Sequence, residues 1–437
     1  MKINKRAFVT VAILLVHGLV AWSQEKLSLQ QALELALKNN YSISISSNQA
    51  AIAKNDYTRG NAGMLPSVAL SASAINSNLL TNQTYSSGEV INQKSLPGTT
   101  LTAGPQLNWT LFDGMKMFAT YDQLKVLQDM GELNARMMIE NTIARIIGAY
   151  FDIARQKQLY FALQQVITIY EERLSIAQTK SNIGSGSDAE MLQAKVDLNE
   201  QKSAMLRQKA LIENAKTTLN HLLSRDSYSE FDISDSIVIT YQPKFEELKT
   251  SVVKQNRSLL FAEQNVKVTN YALKQTASQR YPLLGLNAGY SYTNATNPAI
   301  GELLNQQGGP YIGFSMNWTL FNGLNVQRQV KDAKINSLNS QLQYSEVRNE
   351  VESNLVIAYT NFQNALEVLK LEEENIPLAE KNVTINMARF RLGHISSLQL
   401  KDAQQSYLDA VSRLVSARYD AKVSETELMR LNGVLVK

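Results

Sequence analysis

The chain has 437 residues, 19% of them charged and 44% hydrophobic, with 43 Lys and Arg against 39 Asp and Glu for a formal net charge of +4. That near balance removes the electrostatic case for nucleic-acid binding. The complete absence of cysteine excludes disulfides, thiol catalysis, cysteine metal sites and a lipidated amino-terminal cysteine.

The first residues carry Lys2, Lys5 and Arg6, then an apolar run from Ala7 to Trp22 that closes on Ala21-Trp22-Ser23. This reads as a secretory signal, residues 1–23, removed after Ser23. The run is short and has no basic residues on its far side, which argues against a transmembrane anchor. Without it 40 basic residues face 39 acidic ones, a net charge of +1. No later run of about 18 apolar residues occurs, so a passage through a membrane has to be made by a barrel.

The rest is written twice. A first repeat over 24–225 predicts a short helix from Ser28 to Arg59, a β-hairpin over 66–112, a long helix over 115–182, a tip turn over 183–187 and a returning helix over 187–223. A linker follows over 226–243. The second repeat, 244–437, predicts a short helix from Lys244 to Gln279, a hairpin over 282–321, a long helix over 324–392, a tip turn over 393–396 and a returning helix over 396–432. Its signature is Leu107-Asn108-Trp109-Thr110-Leu111-Phe112-Asp113-Gly114, which returns as Met316-Asn317-Trp318-Thr319-Leu320-Phe321-Asn322-Gly323 at an offset of 209. The same offset pairs Tyr150 with Tyr359, Gly184 with Gly393, Ala194 with Ala403 and Leu219 with Leu428. Upstream it becomes 216, matching Leu37–Ile43 to Val253–Leu259 and Leu65-Pro66 to Tyr281-Pro282. The length difference falls in a polar stretch, Thr81 to Gly98, which with its counterpart Asn294 to Gly309 reads as an exposed loop.

Within each hairpin the pattern has a period of two. Leu101, Ala103, Pro105, Leu107, Trp109 and Leu111 alternate with Thr102, Gly104, Gln106, Asn108 and Thr110. Ile312, Phe314, Met316, Trp318 and Leu320 do the same against Gly313, Ser315, Asn317 and Thr319. The preceding strands alternate more weakly, through Val68, Leu70, Ala72 and Ala74 in one and Leu284, Leu286, Ala288, Tyr290 and Tyr292 in the other. Strands of about 10 to 13 residues are long enough to cross the hydrocarbon layer. An apolar face and an uncharged polar one suit lipid on one side and water on the other; a soluble sheet lying on a core is the alternative. Trp109, Phe112, Trp318 and Phe321 fall at strand ends, where interfacial aromatics sit. Pro105 predicts a bulge or a strand end. Four strands cannot close a membrane barrel, so neighbouring copies have to share one continuous sheet.

Each long helix of close to 68 residues would measure about 100 Å. The stripe Val347, Val351, Leu355, Ala358, Phe362, Ala365 and Leu369 recurs at about 3.67 residues per turn, near that of an untwisted helix. A parallel stripe with Ile139, Ile143, Ile147 and Tyr150 implies packing on two neighbours. A wall of nearly straight helices would enclose a tube; a closed bundle with a filled core is the alternative. Pro377 predicts a local kink. Gly184 and Gly393 suit left-handed helix ends, and Ser187 with Glu190 and Ser396 with Gln399 read as capping boxes.

The three histidines, His17, His221 and His394, share no ligand spacing, and Gly184-Ser185-Gly186 lacks the strand a phosphate loop requires. The reading is therefore not an enzyme, with no cofactor and no metal. The competing class is a periplasmic or surface helical scaffold or adhesive stalk without a pore, which has no use for a sheet with one lipid-facing side.

The duplicated NWTLF-(D/N)-G strand end, the Leu/Tyr-Pro dipeptides and the two Gly tips, followed ten residues later by Ala194 and Ala403, together resemble the TolC family of outer-membrane efflux proteins over essentially the whole mature chain. The resemblance implies a mainly α protein with a membrane β part: four strands per chain in a shared twelve-stranded barrel and a tunnel of twelve helices. It implies a homotrimer in the outer membrane, in contact with its lipid and with a large periplasmic part. A periplasmic adaptor and an inner-membrane pump would be its partners, and it would act as the passive exit duct of tripartite efflux or type I secretion. By position, adaptor contacts would fall at Ile183, Gly184 and Ser185 and at Leu392, Gly393 and His394. The tunnel constriction would involve Asp402, Gln399 and Glu190. The sequence departs from the family pattern where Gln399 replaces an acid of the ring and Ile395 replaces a latch arginine. Asp402 is expected to line the closed tip.

Overall fold

A computed structural model describes residues 26–233, 236–297 and 302–435; the signal segment 1–23 lies outside the described residues. The short helix of the first repeat is two helices, α1 (Leu29–Asn39) and α2 (Tyr41–Asp56), and that of the second is likewise α5 (Phe245–Gln255) and α6 (Arg257–Ala277), followed by a 3-10 turn over Ser278–Arg280. The single helices expected from Ser28 to Arg59 and from Lys244 to Gln279 are thus corrected. The cause is the same in both. Asn40 and Asn256 leave helical geometry, with ψ of 124° and 119°, and turn their amides to a returning helix. Asn40 Nδ2 donates to Leu222 O at 2.7 Å and Asn256 Nδ2 to Leu431 O at 3.0 Å. Each satisfies a carbonyl that a helix end leaves without a partner.

The long helices are α3 (Lys116–Asn182) and α7 (Asn325–Arg391), 67 residues each, and the returning helices are α4 (Asp188–Leu222) and α8 (Ser397–Leu431), 35 residues each. Helix α7 runs through Pro377 without interruption. No helix among the described residues is long and apolar enough to cross a membrane.

Four strands form an antiparallel sheet in the order β2-β3-β5-β6: β2 (Ser67–Thr84), β3 (Val90–Phe112), β5 (Leu283–Asn297) and β6 (Glu302–Asn317). At 15 to 23 residues they exceed the expected 10 to 13. Most of the stretch from Thr81 to Gly98 pairs as strand, with Thr84 opposite Val90, so the polar residues there lengthen the ladder instead of forming a loop. The β3 strand also continues through Pro105, which faces Leu70 in β2. Toward β5 the pairing lapses from Ala103↔Tyr292 to Gln106↔Gly289 and resumes in the same register, so a gap stands where a bulge or strand end was expected. A separate two-residue parallel pair joins β1 (Lys26–Leu27) to β4 (Asp232–Ile233).

The chain divides into two compact units, each drawing on both repeats. One comprises the described residues of Met1–Ile45, Met137–Asn256 and Val351–Lys437; the other comprises Ser46–Arg136 and Arg257–Glu350 and holds the sheet. In the first, Leu27, Ala32, Ala36, Ile146, Ile153, Leu219 and Phe231 form a core around the β1·β4 pair, and Tyr150 donates its hydroxyl to Leu27 O at 3.0 Å. The stripe read on α7 is buried at Val351, Leu355, Ala358 and Phe362. A second stripe on the same helix, Ile357, Leu371, Leu378 and Ile385, stays exposed in the single chain.

Candidate functional site

The register establishes what each face of the sheet carries, because residues paired across antiparallel strands point the same way. Val68 faces Leu107, Leu107 faces Ala288 and Ala288 faces Ile312; in the next layers Trp109 faces Leu286 and Leu286 faces Phe314. The opposite face runs Ser67, Asn108, Asn287, Gly313 and then Ser73, Thr102, Thr293, Gln307. The polar side is knitted together: Thr102 and Thr293 hydroxyls meet at 3.5 Å, and Asn287 Nδ2 donates to Ser315 Oγ at 3.2 Å. On the apolar side Leu70, Ile312 and Phe314 are more than 70% exposed, which in water would be a large unfavourable surface.

At the foot of the strands the two tryptophans do the same thing. Trp109 Nε1 donates to Met64 O at 3.0 Å and Trp318 Nε1 to Arg280 O at 3.1 Å, each carbonyl lying two residues before a proline. The indole thus keeps its ring on the apolar side and its polar tip satisfied. Phe112 ends β3 as expected, whereas Trp109 lies inside β3, Trp318 follows the last residue of β6 and Phe321 lies beyond the sheet. Phe321 remains 78% exposed.

The tips are built by caps. Ser185 N donates to Lys180 O at 2.9 Å and Gly184 N to Ser181 O at 3.0 Å; His394 N donates to Arg389 O at 2.9 Å and Gly393 N to Phe390 O at 3.1 Å. These are paired Schellman ends, with Gly184 and Gly393 left-handed at φ of 74° and 76°. Ser396 and Gln399 close the expected box, since Gln399 N donates to Ser396 Oγ at 3.3 Å and Ser396 N to Gln399 Oε1 at 3.0 Å. At the other tip Ser187 Oγ accepts from Ala189 N at 3.1 Å, and Glu190 makes no reciprocal bond. The expected box there is corrected to a simple cap. Ile183, Leu392 and His394 are exposed at the turns, and Asp402 is exposed one turn into α8, its carboxylate free of ion pairs among the described residues. Ile395 is buried with Met387, Phe390 and Leu400. Lys180 ties the two tips together by donating to Phe390 O at 2.7 Å.

One constellation escaped the sequence reading. Arg173 of α3 and Asp197 of α4 are 1% and 2% exposed and lie 3.0 Å apart, Nη1 to Oδ2. Lys401 of α8 approaches Asp197 Oδ1 at 2.8 Å, Gln193 donates to it at 2.9 Å, and Arg173 donates to Ser397 Oγ at 2.8 and 3.1 Å. Burial pushes the Asp197 carboxyl up, but the hydrogen bonds from Lys401 and Gln193 and the charges of Arg173 and Lys401 outweigh it and hold it below the ordinary range. These bonds span three helices, and no repeat mate exists for them: the positions 209 residues away are Asn382 for Arg173, Ser406 for Asp197 and Leu192 for Lys401. No group of three or more His, Cys, Asp or Glu among the described residues could hold a metal.

A family model described as outer membrane efflux protein matches residues 32–225 and 250–434. Outer membrane efflux protein BepC of Brucella suis is 21% identical over 97% of this chain and 89% of its own length. Outer membrane protein TolC of Vibrio cholerae is 25% identical over 68% of each chain. Among solved structures, the outer membrane protein VceC of Vibrio cholerae superposes with a TM-score of 0.76 at 17% identity, covering 93% of this chain and 96% of that one.

Proposed function

This chain belongs to the outer membrane efflux protein family, and we propose that three copies of it join their sheet edges into one barrel whose polar face lines the conduit. It is an outer-membrane channel, the exit duct of an efflux or secretion system, and its family is made up of channels. The observation that carries the joining of copies is the sheet itself, and the number three follows the family. Across the layers from Ser67–Asn108 to Ser73–Thr102 it presents apolar side chains on one face and mostly uncharged polar ones on the other, and β2 and β6 end it with open edges. Such edges in hydrocarbon would leave backbone groups unpaired at several kcal/mol each, which edge-to-edge joining removes. The exposed stripe on α7 supplies a further apolar surface for a neighbouring copy.

In this assembly Trp109, Phe112, Trp318 and Phe321 sit at the periplasmic membrane interface. Ile183, Gly184 and Ser185 with Leu392, Gly393 and His394 meet a periplasmic adaptor that couples the duct to an inner-membrane pump. Asp402 lines the closed mouth, whereas Gln399 is engaged in its cap and Glu190 stands in the first turn of α4. The test is to place single cysteines along β2 and along β6 and oxidise pairs of them in membranes. Covalent species of three chains support the shared barrel; monomers or dimers alone contradict it. In planar bilayers Asp402→Ala is expected to raise single-channel conductance, and unchanged conductance and ion selectivity would remove Asp402 from the mouth.

A further inference from the structure

Beneath the β3·β5 pair, in the unit that holds the sheet, lies an open groove of about 580 Å³. Its upper wall follows from a register shift. The β3·β5 pairing slips between Thr110 and Phe112, so Phe112 comes opposite Leu284, on the face where Trp109 meets Leu286. The bulge therefore carries Phe112 onto the apolar side. Two successive left-handed residues, Gly114 at φ 70° and Met115 at φ 69°, then turn the chain into α3. Glycine is required at the first of them, because a Cβ would lie 2.4 Å from Ser278 O. At Met115 the same conformation is strained, because the residue carries a side chain. It holds Met115 outward beside Phe118 and Tyr281, all three at least half exposed.

The groove changes character one helical turn lower. Helices α3 and α6 lie against each other there, Gln275 donating to Gln123 Oε1 at 2.8 Å and Gln123 to Val268 O at 3.1 Å. Beside these glutamines Asp122 and Lys274 line the same groove. Both are exposed, and neither is paired with an opposite charge among the described residues; the Lys274 ammonium lies 4.9 Å from the Tyr271 ring centroid. A pocket that is apolar at the foot of a lipid-facing sheet and carries one cation and one anion, unspent, at its lower end has a recognisable complement.

We infer that this groove binds one glycerophospholipid per chain, with an acyl chain against Phe112, Met115 and Phe118, its phosphodiester on Lys274 and a headgroup ammonium on Asp122. Three observations select this occupant. The groove is continuous with the apolar face of the sheet through Phe112, so a bilayer lipid reaches it from the membrane interface. The two charges match a zwitterionic headgroup, and a lysine serves a phosphate as a point charge. The groove also lies under strands paired within the chain, away from the β2 and β6 edges where other copies join. The inference rests on the outward orientation of the sheet's apolar face.

Native mass spectrometry of the detergent-purified oligomer, titrated separately with phosphatidylethanolamine, phosphatidylglycerol and diacylglycerol, tests it. The wild type is expected to retain one phosphatidylethanolamine per chain and to bind diacylglycerol about tenfold more weakly, the worth of one charge-assisted hydrogen bond. Lys274→Gln should weaken both phospholipids, Asp122→Asn only phosphatidylethanolamine, and Phe118→Ala all three lipids. Equal retention of diacylglycerol and phosphatidylethanolamine, or retention unchanged in Lys274→Gln and Asp122→Asn, would overturn the site and leave annular lipid only. Channel conductance of the same wild-type preparation separates the readings: conducting protein with no selective lipid refutes the groove alone, and non-conducting protein refutes the channel.

Discussion

Replacing Asp197 with asparagine tests whether the buried network near the tips stabilises the three helices it joins. The substitution keeps the shape and removes the charge. Lys401, whose side chain is 35% exposed, can turn to water, but Arg173 at 1% cannot. The guanidinium is left with Ser397 Oγ and the more distant Gln404 Oε1, 3.5 Å away, and no counter-charge. Breaking a buried pair in this way costs about 3 kcal/mol or more. At 1.36 kcal/mol per decade, that is about a hundredfold increase in local opening. Hydrogen–deuterium exchange of peptides spanning 166–176 and 397–407 reads it directly, because amide protection follows local opening. Arg173→Met added to Asp197→Asn removes the orphaned charge and should restore part of the protection. Wild-type protection in the Asp197→Asn protein, or a double variant as weak as the sum of the two single ones, would refute the reasoning. The pH dependence has a definite sign. A carboxyl held below its unfolded value near 4 contributes its full stability above that value and loses it as pH falls through the folded one. Protection of these peptides should thus be flat from about pH 5 upward and decline only below about pH 4.

Glu425, 1% exposed, accepts from Thr240 N at 2.7 Å and Tyr241 N at 2.6 Å and pairs with Lys422, pinning the inter-repeat segment to α8. Glu425→Ala should cost about 3 kcal/mol and open residues 236–243 to limited proteolysis, measured as a new cleavage there. Asn40→Ala and Asn256→Ala each leave a buried carbonyl unpaired, at about 1–3 kcal/mol, and each should lower the thermal midpoint of the oligomer by a similar amount. Trp109→Phe and Trp318→Phe keep the ring and lose the bond to Met64 O or Arg280 O. About 1 kcal/mol apiece is expected, read as a lower dissociation temperature of the oligomer in detergent.

The parts legible in the sequence were those written locally. Alternation at period two gave the faces that the register places together, since neighbouring strand residues point oppositely whatever their partners. Glycine at positions 184 and 393 gave the tip turns because a left-handed end favours that residue. Polarity misled around Thr81 to Gly98, because a ladder is held by backbone pairing that polar residues make as well as apolar ones, as Asn82 opposite Asn92 shows. The breaks at Asn40 and Asn256 depend on carbonyls 182 and 175 residues away, although an Asn between two helical stretches in both repeats was a visible hint. The Arg173 network was silent for another reason: it breaks the duplication, so comparing the two halves could not expose it.

In the channel one face of the sheet meets lipid and the other meets water. The chain has no cysteine, so single cysteines can be spin-labelled without background. Labels at Leu107, Leu286 and Phe314 and at Asn108, Asn287 and Ser315 should alternate in the reconstituted channel, the first set accessible to oxygen and the second to a water-soluble relaxant. Equal access of both sets to the water-soluble relaxant, or burial of the first set within protein, would rule out a sheet with one lipid face and one water face.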